Sequence, residues 1–149
     1  MAGSAQYTAV LDANVLYPAL LRDVLLILAD ADLYSAKWSA HIRDEWTRSL
    51  LRDRPGMEAQ IAAADAIVTW NEKDFPKEIL DPFGVEVQTP DEFVLNQLML
   101  EKVAALSALK RMRERWARPQ YDAVALVALL EKRGLPQTAA HLRDVVTLI

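Results

Sequence analysis

The stretch that most constrains the fold is Ala66-Ile67-Val68-Thr69-Trp70-Asn71-Glu72-Lys73-Asp74-Phe75-Pro76. An apolar run stops at Thr69, a polar loop carrying Asn71, Glu72 and Asp74 follows, and Phe75-Pro76 closes it. A parallel strand buried on both faces reads as a short apolar run, and in open α/β sheets chemistry gathers just past the C-terminal strand ends. Taken alone, the loop reads as an ordinary acidic surface loop. A second run of the same kind near the start of the chain shifts the balance.

That second run is Tyr7 to Leu11, ended by Asp12, with Asn14 two residues on. Leu20, Leu21, Val24, Leu25 and Leu28 then follow at helical spacing. Asp12 or Asn14 either caps this helix or is presented at a strand-to-helix junction, and both readings stand. Leu33 to Trp38 reads as another strand, and Ser39 as the N-cap of a helix over about 40–51. Glu45 lies at the edge of that helix's apolar stripe, as a solvated flank or an inward-facing ligand. His41 has no partner histidine at i+4 and reads as a helix-end residue. Residues 57–64 are weakly helical, and Val85 to Gln88 is a further strand.

Thr89-Pro90-Asp91-Glu92 is a strong helix start, with an N-cap threonine, proline at N1 and glutamate at N3. Helices are expected at about 91–99, 101–117, 120–133 (stopped by Gly134) and 136–147. Strands alternating with helices over residues 1–89 predict an α/β domain with a short parallel sheet flanked by helices. Residues 90–149 then form a helical C-terminal extension packed on it.

The absence of cysteine excludes disulfides, thiolate metal sites and a cysteine nucleophile. It fits a cytoplasmic protein, as does the lack of a secretory signal or of an apolar stretch long enough to span a bilayer. The net charge of −4 hides an asymmetry. Residues 1–100 hold 16 acids against 8 bases, and residues 101–149 hold 5 against 9. That pairing suits cation binding in the front and polyanion docking in the tail, or simply charged helix surfaces.

Asp12, Glu45 and Asp74 sit at strand ends or on an adjoining helix. Right-handed crossovers would bring the C-terminal ends of parallel strands to one edge, so Asp12 and Asp74 could converge. Clustered carboxylates repel unless protons or a cation intervene, and oxygen-only ligation suits Mg²⁺ or Mn²⁺. Such a cation can supply a hydroxide nucleophile and neutralise a phosphodiester. Asn14, Thr69 and Asn71 are suited to orienting the ligands.

These segments resemble the PIN-domain ribonucleases of the VapC toxin type. Val10-Leu11-Asp12-Ala13-Asn14-Val15-Leu16 is similar to the opening motif, Glu45 to the second acid, and residues 67–76 to the late motif with Asp74 as its acid. Pro90-Asp91-Glu92-Phe93 and Arg133-Gly134-Leu135-Pro136 resemble the C-terminal region of one subgroup. The resemblance implies a PIN-like three-layer fold and a Mg²⁺- or Mn²⁺-dependent endoribonuclease that hydrolyses RNA with a metal-activated water. It also implies a cognate antitoxin and a homodimer. One departure stands out. The family's additional acidic segment before the late motif has no counterpart in the short link over residues 52–65. A catalytically inactive or truncated module that binds RNA or a protein partner is therefore the alternative. A receiver-type phosphotransfer protein fits less well, with Asn14 where a second acid is wanted.

In the tail, Lys110, Arg111, Arg113, Arg115 and Arg118 lie close together at the end of one helix, with Trp116 among them. They either complement a helix C-terminus or contact RNA phosphate or an acidic partner, with Trp116 placed for base stacking.

Overall fold

The computed structural model describes residues 7–39 and 64–149. Of these, residues 7–18, 34–39 and 64–89 form one compact unit, and residues 19–33 and 90–149 form another.

The first unit is a four-stranded sheet of β1 (Thr8–Asp12), β2 (Ser35–Ser39), β3 (Ala66–Val68) and β4 (Glu86–Gln88). Its order is β2-β1-β3-β4 and every pairing is parallel. Leu11 is aligned with Trp38 on one side and Val68 on the other, and Ile67 with Val87. Ala9, Leu11, Ala66, Ile67 and Val68 have no exposed surface, which is why β1 and β3 read as unbroken apolar runs. Short helices α1 (Ala13–Leu16) and α3 (Lys77–Leu80) follow β1 and the late loop. Val10, Ala64, Ile67, Phe75, Leu80 and Val85 form a buried cluster. Phe75 thus anchors the far end of the polar loop. Burying a side chain of this size stabilises by about 1.5–3 kcal/mol.

The second unit contains α2 (Ala19–Asp30), α4 (Pro90–Leu100), α5 (Lys102–Arg115), α6 (Ala123–Lys132) and α7 (Pro136–Arg143). α2 turns Leu21, Val24, Leu25 and Leu28 inward and packs on α4 and α5. α7 packs on both α6 and α4. Asp91, on the first turn of α4, is buried, and its two carboxylate oxygens accept the main-chain N–H groups of Gln137 and Thr138, each at 2.9 Å. Thr138 returns a bond from its hydroxyl to the Asp91 carbonyl at 3.2 Å. A carboxylate from α4 therefore caps α7.

The α/β reading, with a parallel sheet and C-terminal helices, is borne out. Element ends shift for identifiable reasons. β2 begins at Ser35 and not Leu33, because Asp32 adopts a left-handed conformation (φ 64°) and the Leu33 N–H closes back on the Leu28 carbonyl. α6 begins at Ala123 because Asp122 caps it, accepting the Ala125 N–H at 2.7 Å. Gly134 ends it at φ 97°, as the glycine demanded. α5 and α7 each stop short of their expected ends, at Arg115 and Arg143. The helix expected over 40–51, with Glu45 and His41, lies outside the described residues, as does that over 57–64 except for Ala64. Among the described residues no helix is long and apolar enough to cross a membrane.

Candidate functional site

Pairing of Leu11 with Val68 sets Asp12 and Thr69 side by side where β1 and β3 end. Both are buried, at 2% and 0% exposure. A buried carboxylate requires a hydrogen-bond donor. The Thr69 hydroxyl supplies one, donating to Asp12 Oδ2 at 2.9 Å. The Thr69 hydroxyl oxygen in turn accepts the Asn71 main-chain N–H at 3.0 Å and, more weakly, Asn14 Nδ2 at 3.4 Å. Asn14 Oδ1 faces the Trp70 N–H at 3.4 Å. Thr69 is tied to the sheet as well, since its N–H donates to the Gln88 carbonyl at 3.0 Å.

This network decides between the two readings of Asp12. The residue occupies the N-cap position of α1, yet its side chain makes no capping bond. Its carboxylate is turned to Thr69. Asn14 and Asn71 meet at the Thr69 hydroxyl, which links them to the Asp12 carboxylate at the strand ends.

Asp74 lies on a single 3-10 turn, Glu72–Asp74, half-buried, with its N–H bonded to the Asn71 carbonyl at 3.1 Å. Glu45 lies outside the described residues. Among the described residues no three acidic, histidine or cysteine side chains come close enough together to hold a metal ion. What is present is oxygen donors only, carboxylate, hydroxyl and amide, and that donor chemistry fits a hard cation and not a soft one.

In the other unit, the basic cluster separates by environment. Arg113 is half-buried, and its guanidinium donates to the main-chain oxygens of Tyr121 and Ile149, both at 3.2 Å. Arg111 bonds the Ser107 hydroxyl at 3.1 Å. Arg115 and Arg118 are exposed, and half-buried Trp116 meets the Tyr121 ring edge-on with centroids 5.7 Å apart.

Two polar features escaped the sequence reading. Asp91 was seen only as part of a helix start, and its role in capping α7 has no local signature. Gln88, buried at the end of β4, donates to the Tyr7 hydroxyl at 3.3 Å and to Glu86 at 3.2 Å. Burial, then the Glu86 charge, raises the Tyr7 phenol above its ordinary value, and the Gln88 bond opposes them.

The parallel four-stranded sheet with helices beside it and after it is consistent with a PIN-like α/β fold. Residues 90–144 match the family model of the VapC50 C-terminal domain. The chain is 32% identical over 93 residues to "Putative ribonuclease VapC50" of Mycobacterium tuberculosis (strain ATCC 25618 / H37Rv), covering 62% of this chain and 54% of the relative. It thus spans about half the length of that relative. No solved structure matches. The two matches bear out the VapC-type PIN resemblance.

Proposed function

We propose that this protein is a Mg²⁺- or Mn²⁺-dependent endoribonuclease, the toxin of a toxin–antitoxin pair. The observation that carries the reading is the buried Asp12 carboxylate held by Thr69 at the C-terminal ends of two adjacent parallel strands. The similarity to a relative whose name includes ribonuclease supports it. Asp12, Asp74 and Glu45 are the candidates to hold the cation. When bound, such a cation supplies a more acidic water and neutralises phosphodiester charge. The chain's own part is positioning. Thr69 fixes the orientation of the Asp12 carboxylate, while Asn14 and Asn71 hold the Thr69 hydroxyl in place. RNA is the substrate in this reading, an antitoxin the regulating partner and a homodimer the working assembly.

A second reading, a catalytically inactive module that binds RNA or a protein, draws on one observation. The short link over residues 52–65 has no counterpart of the family's additional acidic segment.

The test is cleavage of a mixed transfer and ribosomal RNA pool by purified protein in Mn²⁺, in Mg²⁺ and in EDTA, with Asp12→Asn beside it. Discrete fragments that require metal and vanish in Asp12→Asn are the expected result. No metal-dependent cleavage by the wild-type protein removes the nuclease reading and leaves the binding module.

A further inference from the structure

Two cavities in the helical unit adjoin one another across Trp116. One, of about 510 Å³, is walled by Leu26, Ile27 and Met112 and carries Asp23, Asp30 and Arg115. The other, of about 440 Å³, lies along Leu20, Tyr121 and Leu129 and carries Asp23, Arg115 and Arg118. Asp23, Arg115 and Trp116 line both. Along α2, Leu20, Asp23, Ile27 and Asp30 recur at three- and four-residue spacing, so one side of that helix forms a continuous wall.

The charges in this groove are uncommitted. Asp23 is half-buried, and neither it nor Asp30, Arg115 or Arg118 has a hydrogen bond or ion pair among the described residues. Leu26 stands 38% exposed between them. A half-buried carboxylate beside apolar walls is placed to take a cationic group of an incoming chain. The groove is therefore complementary to an occupant that brings a cation to Asp23 and Asp30, an anion to Arg115 and Arg118 and an apolar group to the wall.

We propose that this groove docks a segment of a partner protein in which an apolar side chain is flanked by a basic residue for Asp23 and Asp30 and an acidic one for Arg115 and Arg118. RNA fits less well for two reasons. Asp23 and Asp30 repel phosphate along the same groove. Of the tail's clustered bases, half-buried Arg113 is committed to two main-chain oxygens and so is withdrawn from phosphate contact. Adjoining cavities that share a wall suit successive side chains of one polypeptide better than a single compact ligand. The inference rests on the partner-binding part of the proposed function, and not on catalysis.

The experiment selects a displayed library of random short peptides on the full chain, with counter-selection on Trp116→Ala. Enriched peptides are then synthesised and titrated against wild type, Asp23→Arg and Arg115→Glu, with a random-sequence single-stranded RNA oligonucleotide in parallel. Circular dichroism verifies that each variant is folded. The expected result is enrichment of peptides carrying a basic residue, an apolar residue and an acidic residue. Their affinity falls roughly tenfold or more in Asp23→Arg. Replacing the peptide's basic residue by Glu restores binding to that variant. Failure to enrich any peptide, or binding indifferent to Asp23→Arg, overturns the proposal. So does an RNA oligonucleotide that binds wild type, weakens in Arg115→Glu and tightens in Asp23→Arg. Peptide binding by a protein that cuts no RNA would sustain this inference while the nuclease reading fell, and cleavage without peptide binding would do the reverse.

Discussion

The hydroxyl of Thr69 donates to the carboxylate of Asp12 across 57 positions of sequence, at 2.9 Å and out of contact with solvent. Replacing Thr69 by Val keeps the shape and removes the donor. Leaving the buried carboxylate without it costs about 1–3 kcal/mol. Thr69→Val should therefore melt earlier and, in the nuclease reading, lose cleavage, whereas Thr69→Ser should retain most of both. Thermal melting and the RNA-pool assay report the two effects separately.

Asp91 caps α7 through two bonds from buried or half-buried N–H groups. Asp91→Ala strands both, and charge-assisted bonds of this kind make the loss about 2–3 kcal/mol. Amide exchange at Gln137 and Thr138 should accelerate more than at the middle of α6. Equal acceleration throughout the unit would mean that the cap is not specific to α7.

Arg113 donates to two main-chain oxygens from different parts of the chain, a geometry that a lysine ammonium cannot reproduce. Arg113→Lys should lower stability by about 1–2 kcal/mol. Denaturant titration measures this. If the variant is instead as stable as wild type and only binding weakens, Arg113 is a contact residue and not a strut.

Burial raises the Tyr34 phenol well above its ordinary value. The folded state then keeps its proton where the unfolded chain loses it. The stabilisation is complete below about pH 10 and is lost as pH rises beyond, by about 1.4 kcal/mol per pH unit. Tyr34→Phe should flatten this alkaline decline. Urea midpoints for both proteins at about pH 8 and about pH 11 make the comparison, and parallel declines would sink it.

The parts legible in the sequence were those written in local pattern. β1 and β3 showed as apolar runs because both faces are covered, and α4 showed through its proline and first-turn acids. Asp12 and Thr69 could be singled out because strand ends are where a parallel sheet presents polar groups. What stayed hidden depends on partners far along the chain. Nothing near Arg113 reveals that Tyr121 and Ile149 will accept its bonds, and nothing near Asp91 points to Gln137 and Thr138. The early strand boundary at Leu33 failed for a smaller reason, since a left-handed aspartate has no reliable signature.

The bond from Asp91 to the start of α7 also closes a ring. The segment matching the VapC50 C-terminal domain runs from 90 to 144, and its first turn is fastened to its last helix over 46 and 47 positions. Continuity of the backbone between them is then dispensable once the unit has folded. A single nick in the exposed 117–120 stretch should leave two fragments that co-elute under native conditions and separate only in denaturant, and Asp91→Ala should let them drift apart.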